Sequence, residues 1–230
     1  VSALERIDLS TCVKVCGLTR AADVALAVEA GADLFGFVAA PAPGPRALAP
    51  RRLGELVAVA PAGRAVLVVV GGDAQAACAL ALATGAGLVQ VCGPARAAAF
   101  AGSPLPVLRA LPVALVARST AELAEWESVA LGFVFEPPGV LGGSGRCAPT
   151  ADVRAASAGR RGLLAGGLCA DNVAERLAAT GHLGADASSR LERAPGIKDA
   201  GRVRAFVAAA RAAFAARVVD GTQREVELCS

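Results

Sequence analysis

The feature that most constrains this chain is an alternation repeated eight times along it. A short, mostly apolar run is followed by a longer stretch rich in Ala, Leu and Arg. The short runs are residues 12–16, 34–38, 65–70, 88–91, 107–110, 131–135, 162–165 and 185–187. Each is bounded by Gly, Pro or polar residues, which is how strands buried on both faces of a parallel sheet read. The longer stretches read as helices over 20–30, 51–60, 74–83, 95–100, 121–127, 151–158, 172–179 and 200–217, the last being the longest. Thr19 offers an N-cap to the first and Gly31 a C-terminal stop, while Pro50 suits the opening turn of the second. Eight β-then-α units in series predict an α/β fold, a single (β/α)8 TIM barrel. An open doubly wound sheet is the rival, but the first loop, Gly17-Leu18-Thr19, lacks the GxGxxG that such a fold favours.

The chain of 230 residues suits one large core. The expectation is a barrel domain over 1–230, with 1–11 and 218–230 as terminal extensions. The Pro-rich residues 40–50 read as a long loop after the second strand rather than a linker. A net charge of +3 and 3% aromatic residues argue against nucleic acid as a partner. The seven cysteines are odd in number and form no CxxC pair, so a zinc site is not expected and reduced thiols in a cytoplasmic protein are. No uninterrupted apolar run reaches about 18 residues, the length of a membrane span, and none is expected to cross one.

Catalytic groups of such barrels gather where the strands end and the βα loops begin. The polar residues there are Cys16 and Thr19 after strand one, Arg46 after two, and Asp73 after three. Cys92 follows strand four, and Glu136 with Gly142-Gly143-Ser144-Gly145 follows six. Gly166-Gly167 follows seven and Ser188-Ser189-Arg190 follows eight. The glycines after strand seven and the serines after strand eight suit a phosphate, held by backbone N–H groups and hydroxyl donors. A cysteine and a carboxylic acid on facing walls suit a base–acid pair.

Several segments, taken in order, resemble one family. Val13-Lys14-Val15-Cys16-Gly17-Leu18-Thr19 resembles K-[IV]-C-G-[IL]-[TR], the opening of the phosphoribosylanthranilate isomerases. Gly31-Ala32-Asp33 with Gly36-Phe37-Val38, Pro45-Arg46 with Ala49-Pro50, and Val89-Gln90-Val91-Cys92-Gly93 are similar to later family segments. So are Gly142-Gly143-Ser144-Gly145, Ala165-Gly166-Gly167-Leu168 with Asn172-Val173, Ala185-Asp186-Ala187-Ser188-Ser189, and Pro195-Gly196-Ile197-Lys198-Asp199. The likeness is collinear over roughly residues 13–210. It implies an aldose–ketose isomerase of tryptophan biosynthesis that performs an Amadori rearrangement without metal or organic cofactor. Cys16 would be the base and Glu136 the acid. Arg46 would pair with the anthranilate carboxylate, Asp186 would face the mouth, Gly143 would contact the substrate, and Gly166, Gly167, Ser188 and Ser189 would hold the substrate phosphate. The base requires a thiolate, which a polar mouth is expected to favour by lowering the thiol pKa. The expected partner is a small phosphosugar, with no nucleic acid or membrane, and the chain a monomer or homodimer.

The likeness breaks at four places around the mouth. The family's Asp is best replaced by Glu136, one methylene longer, or about 1.5 Å of extra reach, the other candidate for that position being Phe135, which would leave no acid. Cys92 stands where the family has His, Arg190 where it has Gly, and Gly71-Gly72-Asp73 replaces the motif after strand three. Two further readings therefore stay open: a diverged isomerase of another aminosugar in secondary metabolism, and a non-catalytic barrel that binds phosphate or a partner chain. The single histidine, His182, precedes strand eight and falls at the wrong end for catalysis.

Overall fold

The computed structural model describes residues 7–42, 44–116, 120–138 and 145–228, with the side chains at 115, 116, 120 and 218–228 left aside. Eight strands form the ring: β1 (Val13–Val15), β2 (Leu34–Ala39), β3 (Ala65–Val70), β4 (Leu88–Cys92), β5 (Val107–Pro112), β6 (Gly132–Glu136), β7 (Gly162–Leu164) and β8 (Gly184–Ala187). Every neighbouring pair is parallel. β1 pairs with β2 through Lys14 and Leu34 and with β8 through Lys14 and Asp186, so the sheet closes on itself. Closure excludes the open doubly wound sheet. A two-residue strand, Ala47–Leu48, lies parallel to the end of β2 and pins the Pro-rich loop beside the mouth.

The outer layer consists of α1 (Ala21–Glu29), α2 (Pro50–Val57), α3 (Ala74–Thr84), α4 (Val113–Val116), α5 (Thr120–Val129), α6 (Thr150–Ser157), α7 (Ala170–Thr180) and α8 (Ala200–Leu228). The helix expected over 95–100 is a single 3-10 turn, Ala97–Phe100. Thr19 does not cap α1. The cap position is Arg20, and the Thr19 hydroxyl instead donates to the Gly196 carbonyl at 2.5 Å, tying the first βα loop to the last. Gly31 does close that helix, with φ of +87°, and Pro50 opens α2. Among the described residues no helix is long and apolar enough to cross a membrane.

Strand parity sorts the side chains into two cores. Residues such as Val13, Phe35, Phe37, Leu67, Val89, Phe133 and Phe135 point outward and pack under the helices. Leu34, Val66, Val68, Leu88, Leu108, Val134 and Leu163 point inward and fill the barrel. Ile7 and Leu9, which read as part of a terminal extension, are buried in that inner core ahead of β1. The floor is thus apolar. The C-terminal rim carries Cys16, Cys92, Glu136 and Asp186.

Candidate active site

Cys16 is the residue after β1. Its N–H donates to the Ala187 carbonyl at 2.9 Å, so its backbone continues the β1–β8 ladder. Gly36 sits opposite, and a Cβ there would stand 2.7 Å from the Cys16 sulfur. A side chain at that position would displace the thiol, which is a packing reason for glycine. Lys14 lies two residues before Cys16, on the same inward face of β1. Its ammonium is fully buried and 3.0 Å from Asp186 Oδ2. The other Asp186 oxygen, Oδ1, is buried without a hydrogen-bond partner among the described residues. An unpaired buried carboxylate oxygen costs free energy unless something donates to it, so it can accept from a bound donor.

The expectation that the mouth lowers the thiol pKa is not met. Burial pushes the Cys16 thiol up. Lys14 and Lys198 pull it down and Asp186 adds to the rise, but desolvation wins. A thiolate loses its hydration in this pocket, and two nearby ammonium groups repay only part of that. For Lys14 the balance is opposite. Burial disfavours its charge, yet Asp186 and Cys16 more than offset it, so the ammonium persists above its ordinary range.

Glu136 ends β6 and shares the inward parity of Val134. Burial pushes its carboxyl up to about 7, helped by the Asp186 charge and opposed by Lys14 and Arg109. A carboxyl in that range carries a proton much of the time at neutral pH and can give it away. Cys92, on the neighbouring wall, is pushed up to about 12, first by burial and then by Glu136, although Gln90 Nε2 lies 3.6 Å from its sulfur. It stays a neutral thiol and supplies neither the base nor the cation that a histidine there would.

Arg46 emerges from the Pro-rich loop and lies across Gly17, where an added Cβ would meet Arg46 Cδ at 2.6 Å and Ser188 Oγ at 2.8 Å. Its guanidinium is already engaged. Nε donates to Glu192 Oε1 at 2.8 Å and Nη2 to Oε2 at 2.6 Å. Glu192 is buried, as is Lys198, whose ammonium donates to Glu192 Oε1 at 3.0 Å, to the Cys16 carbonyl at 2.6 Å and to the Ser188 carbonyl at 3.1 Å. Burial opposes the charge on Glu192, but Arg46 and Lys198 hold its carboxyl below the ordinary range.

The loops after β7 and β8 lie side by side. Gly166 and Gly167 have φ of +88° and +63°. A Cβ on Gly166 would fall 2.3 Å from Pro137 Cδ, and one on Gly167 2.6 Å from the Gly145 carbonyl, so both glycines let the loop press against the segment after β6. Asn172 staples the turn: its Oδ1 accepts from the Cys169 N–H at 3.0 Å and its Nδ2 donates to the Gly167 carbonyl at 3.0 Å. Ser189 opens a 3-10 turn, Ser189–Leu191, and lines one pocket together with Cys169 of the neighbouring loop. Arg190 is exposed and reaches back to the Cys169 sulfur at 3.7 Å. Gly143, with Gly142 and Ser144, lies outside the described residues.

The structure thus brings Cys16, Glu136, Arg46, Asp186, Gly166, Gly167, Ser188 and Ser189 to one end of the barrel. Two of the residues considered have other partners. Asp73 caps α3 by accepting from the Gln75 N–H at 2.9 Å. His182 donates from Nε2 to the Ser157 carbonyl at 2.9 Å on the opposite face. Lys14, Glu192, Lys198 and Asn172 were missed as site residues. A signal existed for Lys14, since a lysine inside a strand buried on both faces requires a partner. Nothing local marks Glu192. Among the described residues no group of three or more His, Cys, Asp or Glu side chains is placed to hold a metal.

Comparison with known proteins agrees with this geometry. Residues 13–209 match the family model described as N-(5'-phosphoribosyl)anthranilate (PRA) isomerase. The N-(5'-phosphoribosyl)anthranilate isomerase of Nitrobacter winogradskyi is 37% identical over 216 residues, spanning 89% of this chain and 95% of its own. That of Rhodospirillum rubrum is 39% identical over 215 residues, spanning 87% and 98%. The crystal structure of TrpF from Jonesia denitrificans superposes with a TM-score of 0.70 at 36% identity, covering 88% of this chain and 97% of that one. The phosphoribosyl anthranilate isomerase of Thermus thermophilus gives 0.72 at 30% identity, covering 86% and 97%. The chain belongs to the N-(5'-phosphoribosyl)anthranilate isomerase family.

Proposed function

We propose that Cys16 and Glu136 are the base and the acid of the family's reaction, the Amadori rearrangement of N-(5'-phosphoribosyl)anthranilate in tryptophan biosynthesis. Glu136 gives its proton to the furanose ring oxygen as the C1–O bond breaks, which leaves an N-aryl iminium at C1. The Cys16 thiolate removes the proton from C2. The C2–H electron pair forms the C1–C2 double bond and neutralises the iminium nitrogen. The resulting enolamine loses its C2 hydroxyl proton and gains one at C1, giving the amino-ketose. Atoms and charge balance without an external reductant or oxidant.

Arg46 binds the anthranilate carboxylate, and Asp186 Oδ1 accepts a hydrogen bond from a ribosyl hydroxyl. Gly166, Gly167, Ser188 and Ser189 hold the phosphate with backbone N–H groups and hydroxyls, and the family resemblance adds Gly143 as a further substrate contact. The observation that carries this reading is Glu136: a carboxyl at the rim, aimed inward, with its pKa raised to about 7. The protein works in the cytoplasm as a monomer or homodimer.

The test is incubation with freshly made N-(5'-phosphoribosyl)anthranilate while following anthranilate-type fluorescence. The fluorescence falls with time. Cys16→Ala and Glu136→Gln each slow that fall by about a hundredfold to ten-thousandfold, the range expected for loss of a general base or acid. No turnover by the native chain, or an undiminished rate in Cys16→Ala, overturns the assignment.

A further inference from the structure

We infer that Glu192, buttressed by Lys198, is a positioning residue that presents Arg46 to the substrate and sets the preference for a carboxylated aryl group. The inference rests on the assignment of Arg46 to the anthranilate carboxylate.

A guanidinium has two hydrogen-bonding edges, one made by Nε and Nη2 and the other by Nη1 and Nη2. In Arg46 the first edge is filled by the bidentate contact with Glu192, at 2.8 and 2.6 Å. Nothing among the described residues accepts from the second edge, and the side chain keeps 21% of its surface exposed. The occupied edge therefore orients the vacant one. An arginine on a Pro-rich loop without this contact would sample many rotamers, and a bound carboxylate would have to order them.

Glu192 is itself immobilised. Its side chain is 4% exposed, and Oε1 is shared between Arg46 Nε and Lys198 Nζ. Lys198 Nζ also binds the Cys16 and Ser188 carbonyls. One ammonium thereby links the backbone of the thiol residue, the backbone of the phosphate loop and the carboxylate that holds Arg46. Three points of the substrate are gripped by one contiguous network: aryl carboxylate, C2 proton and phosphate. The Arg202 guanidinium adds a bond to the Glu192 carbonyl at 2.7 Å, which anchors the network to α8.

The test compares two substrates generated in solution from ribose 5-phosphate, one with anthranilate and one with aniline, which lacks the carboxylate. The readout is the ratio of their kcat/KM values in the native chain, Arg46→Lys, Glu192→Gln and Glu192→Asp. Glu192→Asp keeps the charge but withdraws the carboxylate by one methylene, so it serves if Glu192→Gln does not fold. The inference expects Glu192→Asp to cut the ratio about tenfold or more, mainly through a higher KM for the carboxylated substrate. The aniline substrate, which has no carboxylate for Arg46 to hold, loses correspondingly less. Equal losses on both substrates, or no change on either, overturn it, because a purely structural role has no reason to distinguish them. Arg46→Lys separates the layers. If it leaves the ratio unchanged, the role of Arg46 itself is wrong. If it collapses the ratio while Glu192→Asp does not, only the positioning by Glu192 fails.

Discussion

Replacing Glu136 with Gln removes the proposed acid, and the same change should make the protein more stable above neutral pH. The buried carboxyl titrates at about 7 in the folded protein against an ordinary 4.5. Between those values the native state keeps the proton while the unfolded chain has released it. The stabilising contribution is therefore complete below pH 4.5 and disappears as pH rises through 7. The gap of about 2.5 pH units corresponds to about 3 kcal/mol at 1.36 kcal/mol per unit. Glutamine has nearly the same shape and does not titrate, so it does not lose that contribution. Urea unfolding of both proteins at pH 5, 6, 7 and 8, with linear extrapolation, isolates the effect, because every other group titrates alike in the two and cancels. The stability of Glu136→Gln relative to native should climb by about 2–3 kcal/mol from pH 5 to pH 8, most steeply between 5 and 7. A difference that stays flat to within about 0.5 kcal/mol would refute the argument that burial raises this carboxyl. Activity lost in the variant that gains stability is the usual trade at a strained site.

Three further outcomes follow from the same geometry. On the proposed roles the productive form has Glu136 protonated and Cys16 ionised, the reverse of their order of acidity, so kcat/KM should rise up to about pH 7, level off and fall only where the thiol titrates. In Glu136→Gln the residual rate should instead keep rising through pH 7, and a profile that still breaks there would assign that limb to another group. Lys14→Met leaves the Asp186 carboxylate buried without its ammonium at 3.0 Å and should cost about 3–5 kcal/mol in urea unfolding. Lys14→Met with Asp186→Leu should recover most of that loss, whereas simple additivity would show that the pair is uncoupled. Gly166→Ala forces a Cβ within 2.3 Å of Pro137 Cδ at a φ of +88°, so it should destabilise by about 2 kcal/mol or more and raise KM. An unchanged KM would remove the β7 loop from the phosphate grip.

The barrel was legible in the sequence because its cause is repetitive. Eight apolar runs with eight helical stretches between them have few ways to bury their surfaces, and a closed parallel sheet is one. Errors fell where the local pattern was thin. Residues 95–100 carry helix-forming alanines but too few of them for more than one 3-10 turn, Ala97–Phe100. Thr19 is a good N-cap by type, yet its hydroxyl finds the Gly196 carbonyl, 177 positions along the chain. Ile7 and Leu9 precede any periodic segment and read as an extension, yet the fold packs them against the inner side chains of the barrel.

What the sequence determined by itself is much of the set of rim residues, since strand ends and βα loops follow directly from the alternation; that Glu136 rather than Phe135 faces inward was decided by the barrel, where Phe135 packs in the outer core and Val134 in the inner one. What only the tertiary structure decided is the charge state and orientation of those residues. Cys16 has its pKa raised rather than lowered because desolvation outweighs Lys14 and Lys198. Arg46 is already gripped by Glu192, a residue 146 positions away. Desolvation depends on every atom within several ångströms, and barrel closure brings β8 beside β1. Neither quantity is local, so neither is written in any short stretch of the chain.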